Sequence, residues 1–427
     1  MPHSSSSPIA SSALAPGSRI GMLGGGQLGM MFAQAAHQLN YTVVVFTPEA
    51  DCPAAAVADQ LVIGHYTNKA ALQTFANTVD VITLEFENIP LETLQTLRAL
   101  CPESTGIFPP HALLEAAQHR LKEKAFLTEH GFEVAPYAAV HNEADLHAGI
   151  ASLGLPCILK TATLGYDGKG QSVFRTPEDV TDFLSQPGFP AALSERDWIL
   201  EQFIPYESEC SVIAARNHQG QTAHLGVFHN HHINNILDTT ITTIASPSDF
   251  AQRAIEQTCT LLKASQIVGI LCVEFFVMPD GQLIANEMAP RPHNSGHITI
   301  DTHPVSQFEL HVRAVCGLPL NPESPETPTS SITQSTSGVM LNLMGDLWFA
   351  NDKTQESIEP NWSLFSDAFT NAQCTLYGKS IAKPARKMGH LNLTTTETLT
   401  PAIDTPLVQQ LHQVRQQIQE APRHATR

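Results

Sequence analysis

Two glutamates, an asparagine and a densely polar loop fall close together between Cys272 and His297. Glu274 sits in a short apolar run, a Pro279-Asp280-Gly281 turn follows, and the chain returns through Leu283–Ala285 to Asn286 and Glu287. Runs rich in β-formers on either side of a Pro/Asp/Gly turn spell a hairpin. If its strands pair, Glu274 and Glu287, 13 positions apart, can face one cleft. Two carboxylates beside an amide oxygen make a hard-oxygen site of the kind Mg2+ accepts, completed by water and nucleotide phosphates. Solvated strand carboxylates are the alternative, weakened here by the apolar flanks. The next seven positions, Arg291–His297, hold one Arg, two His, an Asn, a Ser and a Gly, as an anion and substrate loop would.

A second set lies upstream. Cys157–Lys160 reads as a strand ending in Lys160, and Gly165-Tyr166-Asp167-Gly168-Lys169-Gly170-Gln171 follows before a return strand, Ser172–Phe174. Three glycines let such a loop fold over phosphates and reopen, with Lys160 and Lys169 as point charges. A plain Gly-rich hairpin is the alternative, and the loop is not a Walker A sequence. Trp198–Ile204, ending in Glu201, Gln202, Phe203 and Ile204, suits an adenine edge and ribose hydroxyls, with a structural Glu as the competing reading. His229–His232 lacks a carboxylate at ligand spacing, which argues against zinc and makes a nucleotide cleft the better place for it.

Those groups need a scaffold. Arg19–Gly24 is a buried-type strand entering a glycine turn, Gly24–Gly29, and then a helical run, Met30–Asn40, with Thr42–Phe46 as the next strand. A glycine turn at a helix N-terminus is an anion site, and the string satisfies G-x-G-x-x-G. However, Thr47-Pro48 stands where a dinucleotide site wants an acid, so a tight turn, able to lend N–H groups to a phosphate, is preferred to NAD. Strands at Gln60–Gly64 and Val79–Leu84 around a helix at Lys69–Thr78 imply a parallel sheet, with Glu85 at a strand C-terminus, as substrate ligand or as a helix N-terminal carboxylate. Pro109-Pro110 breaks the pattern ahead of a helical region carrying Arg120, Lys122 and Lys124, most of which surface charge explains, with one Arg or Lys reaching a nucleotide as the alternative. The stretch 321–337 is Pro/Ser/Thr-rich and reads as a linker. Beyond it, Lys379, Lys383, Arg386 and Lys387 place four cations within nine positions, as a phosphate site would.

Composition bounds the rest. A chain of 427 residues exceeds one core, so the expectation is a tail at 1–17, domains at 18–110, 111–320 and 338–427, and the linker. The net charge of −18 argues against a general nucleic-acid surface but allows a small anion in a basic pocket. Eight singly placed cysteines indicate neither a disulfide framework nor a structural zinc and fit a cytoplasmic protein. No apolar run is long enough to span a membrane.

Taken in order, GGGQLG, EFENIP, LK followed by GYDGKGQ, EQFI with Glu209 beyond it, VEFF and NEMAPRPHNSGH closely resemble the 5-(carboxyamino)imidazole ribonucleotide synthases, ATP-grasp enzymes of purine biosynthesis. The resemblance runs from about residue 18 to 394. It implies an α/β fold with a Rossmann-like N-terminal domain, a central ATP-grasp domain of two α+β subdomains and a small β-rich C-terminal domain. It implies ATP on Lys160, Gly165–Gln171, Glu201–Ile204 and Glu209, with Arg120, His232 and Asn286 nearby, and Mg2+ on Glu274 and Glu287. Bicarbonate would meet Arg291, His293 and Asn294. Aminoimidazole ribonucleotide would meet the turn at Gly26, Gln27 and Leu28, then Glu85, Tyr166, Asp167 and Arg291, with its phosphate on Lys379, Arg386 and Lys387; a homodimer is also implied. The related formate-dependent phosphoribosylglycinamide formyltransferases are the alternative, but they usually continue APRPH with Asp-Thr-Gly, where this chain has Asn294-Ser295-Gly296-His297. Met30 stands where the family usually has Arg, Asn235 where it has Gly, and Lys383-Pro384-Ala385 where it has Arg-Pro-Gly.

Overall fold

Apolar runs without polar alternation build the first sheet, because strands covered on both faces have no solvent side. In the computed structural model, which describes residues 13–163, 170–186, 193, 195–349 and 357–420, these are β1 (Arg19–Leu23), β2 (Thr42–Thr47), β3 (Gln60–Ile63), β4 (Val81–Leu84) and β5 (Gly106–Ile107). They pair in parallel in the order β3-β2-β1-β4-β5. Alternate residues split between two cores. Ile20, Met22, Val43 and Val45 pack with Phe32 of the helix Gln27–Gln38, while Leu23, Val44, Phe46 and Ile82 pack with Phe75 of the helix Lys69–Ala76. Met30 is buried in the first of these cores rather than presented to a ligand.

A second, antiparallel sheet joins β6 (Tyr137–Val140), β7 (Cys157–Thr161), β8 (Gln171–Phe174) and β9 (Trp198–Gln202) in the order β6-β9-β7-β8. The third contains β10 (Ser208–Arg216), β11 (Thr222–Ile233), β12 (Ile236–Thr242), β13 (Gly269–Val277), β14 (Leu283–Ala289), β15 (Thr329–Ser331), β16 (Ser337–Met344), β17 (Ala372–Leu376) and β18 (Lys387–Thr395). Its order is β14-β13-β10-β11-β12-β16-β18-β17, so the C-terminal strands continue the central sheet through the β12–β16 pairing. The stretch read as a linker includes β15, which pairs in parallel with β11. A short polar segment becomes a strand there because a neighbour supplies its hydrogen bonds, a context that local propensity does not carry.

Helices cover both faces of this sheet. The helix Asp249–Ala264 packs on Val212, Ala214, Leu271 and Val273, and the helix Gln307–Cys316 packs on Ile213, Ala215, Ile270 and Cys272. The last helix, Pro406–Glu420, buries Val408, Leu411, Val414 and Ile418, three or four apart as one helical face requires. Among the described residues no helix is long and apolar enough to cross a membrane.

Candidate active site

The two acids of the β13–β14 hairpin stand directly opposite one another, Glu274 against Glu287. The next pair is Phe275 with Ala285, so Asn286 is an extra residue, a bulge of the kind that re-aims side chains beside a site. Directly opposed residues share a face, and both carboxylates line a cavity of about 660 Å3. Contributors from all three sheets meet there: Gln27, Leu28 and Glu87; Lys160 and Gln171; Glu209, His232, Glu274, Glu287 and Lys387.

Helix periodicity delivers the cations. In the helix Arg120–Glu129, positions 120, 123 and 124 face inward, whereas Lys122 is on the surface 2.6 Å from Glu115. This corrects the surface reading of the basic set for Arg120 and Lys124, since residues four apart share a face. Arg120 donates to Glu287 at 3.1 Å. Burial pushes the Glu287 carboxyl up, but Arg120 and then Lys160 outweigh it and hold it at about 2. Lys124, 1% exposed, donates to the Asn286 carbonyl at 2.8 Å and lies 3.4 Å from Glu201. Glu123 accepts the Met288 N–H at 2.6 Å, and burial followed by the charge of Glu287 pushes it up to about 8.

Glu201 does not line the cleft. It is buried between Lys160 and Lys124, and those two ammonium groups overcome its burial and hold it at about 2. Gln202 turns its amide to the Leu153 carbonyl at 3.3 Å, and the N–H groups of Gln202 and Phe203 are spent on Pro136 and Pro156. Neither Gln202 nor Ile204 lines the cavity; Phe203 does, with Tyr206 and Phe276, which stack at 4.4 Å. Tyr206 donates to Glu209 at 2.7 Å, and His232 lies 2.9 Å from the same carboxylate. The histidine cluster divides as strand alternation demands: His232 faces the cleft, whereas His229 packs edge-on against Phe250 on the opposite side.

The glycine turn binds an anion supplied by the chain itself. Glu85 accepts the N–H groups of Gly26 and Gly29, the latter at 2.7 Å. Gly24 has φ +110, and a Cβ there would come within 2.4 Å of the Glu85 side chain. The turn is therefore not an open phosphate cradle, and Glu85 itself is 6% exposed and not on the cavity wall.

Arg291 forms a forked pair with Glu87, one arm at 3.1 Å, and donates to the Pro292 carbonyl at 3.1 Å. His293 meets Glu274 through Nε2 at 2.9 Å. Asn294 is different: both polar atoms of its amide are buried on the cavity wall without a hydrogen-bond partner. Nearby, Lys379 donates to the Lys387 carbonyl at 2.6 Å, and burial together with Arg386 lowers it to about 8. Arg386 turns outward to the Ile381 carbonyl at 2.7 Å and, like Lys379, is not part of the cavity wall. Gly165, Tyr166, Asp167, Gly168 and Lys169 lie outside the described residues. Gly170 adopts φ +74 and Gln171 pairs with Lys160.

Sequence reading missed Glu87, Glu123, Lys124 and Tyr206 as wall or supporting groups. Only the inward period of the helix Arg120–Glu129 offered a usable signal, and it was masked by the polarity of the residues concerned.

Three family models match in series: the ribonucleotide synthetase preATP-grasp domain over 18–118, the ATP-grasp domain over 125–308, and the phosphoribosylaminoimidazole carboxylase C-terminal domain over 338–400. The N5-carboxyaminoimidazole ribonucleotide synthase of Brucella melitensis is 42% identical over 378 residues, covering 88% of this chain and 96% of that protein. A Staphylococcus aureus N5-carboxyaminoimidazole synthetase complexed with ADP matches with TM-score 0.80 and 32% identity, over 94% of this chain and 98% of that one. The Aspergillus clavatus synthase, in complex with ADP and 5-aminoimidazole ribonucleotide, matches with TM-score 0.78 and 27% identity, over 94% and 100%. With an opposed carboxylate pair in a cleft that also carries Arg120, Lys160, Arg291 and Lys387, and three domain matches in the same order, the chain belongs to the N5-carboxyaminoimidazole ribonucleotide synthases, an ATP-grasp family.

Proposed function

We propose that this chain carries out the family reaction, ATP-dependent carboxylation of 5-aminoimidazole ribonucleotide with bicarbonate to 5-carboxyaminoimidazole ribonucleotide, ADP and phosphate, with the following division of labour. The observation that carries the assignment is the opposed pair Glu274–Glu287 in a cleft that is also lined by Lys160 and Asn294, whose buried amide has no hydrogen-bond partner. The pair fits Mg2+: its oxygens are hard, they share a face, and water and phosphates complete such shells. When bound there, the ion would neutralise charge on the transferring phosphoryl group.

Lys160 is aimed by Glu201 and meets the phosphates without having to be ordered at the moment of reaction. Phe203, Tyr206 and Phe276 provide an apolar slot for the purine, and Glu209 with His232 the polar edge for ribose. Arg291, gripped by Glu87, offers its remaining N–H groups to bicarbonate, and Asn294 completes that subsite. A bicarbonate oxygen attacks the γ-phosphorus, the bond to the ADP oxygen breaks, and carboxyphosphate results. The substrate amine then attacks the carboxyl carbon, and phosphate leaves and carries off the proton that the amine sheds, while His293, held against Glu274, orients the reacting groups. Gly165–Gln171 is assigned to the phosphates, and Tyr166 and Asp167 to the substrate; water has to be excluded there, because it would hydrolyse carboxyphosphate. The substrate phosphate is assigned to Lys379, Arg386 and Lys387, and the functional division to 18–110, 111–320 and 338–427.

The reading carries with it a cytoplasmic homodimer, supported on the first point by eight cysteines all free. ADP release measured with bicarbonate plus aminoimidazole ribonucleotide, against formate plus glycinamide ribonucleotide, tests the assignment. Release with the second pair alone would overturn it.

A further inference from the structure

Behind His293 a row of polar side chains crosses the sheet, buried and away from the cavity wall. Thr240 on β12 and Asn230 on β11 are opposed, as are Ser211 on β10 and Glu274 on β13, so strand register sets all four on the face that carries Glu287. Their contacts form one chain. The Thr240 hydroxyl donates to Asn230 Oδ1 at 3.1 Å, and Asn230 Nδ2 donates to Ser211 Oγ at 3.0 Å. Ser211 Oγ lies 2.8 Å from Ser295 Oγ, which lies 2.8 Å from His293 Nδ1. Thr240, Ser211 and Ser295 are fully buried, so water does not compete for these bonds.

The chain has a direction. An amide nitrogen only donates, so Ser211 accepts from Asn230 and has its own hydrogen left for Ser295. Ser295 in turn donates to His293 Nδ1. The backbone N–H of Ser295 points at the same Nδ1 at 3.3 Å, and a backbone N–H also only donates. Both contacts require a bare Nδ1. The imidazole hydrogen is then on Nε2, where it meets Glu274 at 2.9 Å, and the other tautomer would set a lone pair against a carboxylate.

We infer that Thr240, Asn230, Ser211 and Ser295 are positioning residues that hold His293 as its Nε2–H tautomer facing the bicarbonate subsite. The inference rests on the proposed reaction for its purpose, but its geometry is independent of turnover. Removing partners behind a functional imidazole costs activity about 10- to 100-fold in comparable sites.

The test uses the full chain, labelled with 15N-histidine, at about pH 8.5, two units above the ordinary imidazole pKa. The His293 signals are identified by their loss in His293→Gln. Wild type should show hydrogen on Nε2 and none on Nδ1. Asn230→Asp, whose carboxylate only accepts, should draw the Ser211 hydrogen back and shift His293 toward Nδ1–H. Ser211→Ala should lower kcat about 10- to 100-fold with KM for ATP unchanged, and Ser211→Thr, which restores the hydroxyl, should recover it. Hydrogen on Nδ1 in the wild type, or an unaltered kcat in Ser211→Ala, overturns the inference. A wild type that carboxylates nothing yet shows Nε2–H defeats the reaction assignment while leaving the relay standing.

Discussion

Glu287 is the residue on which the site's charges converge, since Arg120 contacts it directly, Glu123 crowds it and Glu274 faces it. Removing its carboxylate leaves Arg120 without that partner and deletes half of the hard-oxygen pair. Glu287→Ala should therefore abolish bicarbonate-dependent ADP release. The far-ultraviolet circular dichroism should not change, because the side chain lines the cleft and supports no core. Retained ADP release would show that the metal assignment is wrong. Of the departures from the family pattern, two concern single backbone conformations. Asn235 sits at φ +63 and Ala385 at φ +60, both in the left-handed region. Asn tolerates that region and takes the place of glycine in the β11–β12 turn at little cost. Ala does not.

At the level of elements, Ala385 lies in the turn between β17 and β18, held by its N–H to Asp346 at 2.7 Å. Since left-handed backbone strains a Cβ by about 1–2 kcal/mol and glycine loses about 0.5–1 kcal/mol more chain entropy on folding, Ala385→Gly should stabilise the turn by about 0.5–1 kcal/mol. Denaturant unfolding followed by fluorescence would measure it, and a loss of stability would refute the strain argument. The C-terminal helix is tied down by charge as well as by its apolar face. Asp238 receives Arg415 and His412, the latter at 3.1 Å. Burial raises the Asp238 carboxyl, but His412 and Arg415 more than reverse this and hold it at about 2. A depressed carboxylate contributes stability above its unfolded pKa, about 3.9, and loses it as pH falls through the folded value. Protection of the amides in 406–420, taken relative to free-chain exchange at the same pH, should thus fall between about pH 4 and pH 2, and Asp238→Asn should remove that step.

For the molecule as a whole, the cleft belongs to no single sheet. Glu87 of the first unit grips Arg291 after the hairpin, and Ser380 donates to Asp51 at 2.9 Å across the same divide. A ligand that bridges these units should stabilise them together. ADP with Mg2+ at a hundred times its Kd should add about 2.7 kcal/mol, seen as a raised Tm, and EDTA should take most of it away. An identical Tm with and without the chelator would place the nucleotide's grip elsewhere than on the carboxylate pair.

What was legible in the sequence is what neighbours along the chain determine. The turn at Pro279–Gly281 puts Glu274 and Glu287 on the two strands of one hairpin, and the glycine turn after β1 follows from one strand, one turn and one helix; the bulge at Asn286, which regular alternation does not supply, sets the two acids opposite each other. The ordered motifs sufficed for the family. Tertiary structure decided which group fills each waiting partner: Glu85 reaches back 59 positions to Gly26 and occupies the nest, and Glu87 meets Arg291 across 204. Two cations explained as surface charge, Arg120 and Lys124, turn inward, and the row from Thr240 to His293 draws on strands far apart in the chain. Period and propensity are local, whereas a hydrogen bond is satisfied by whatever atom arrives within about 3 Å, and only packing settles which atom that is.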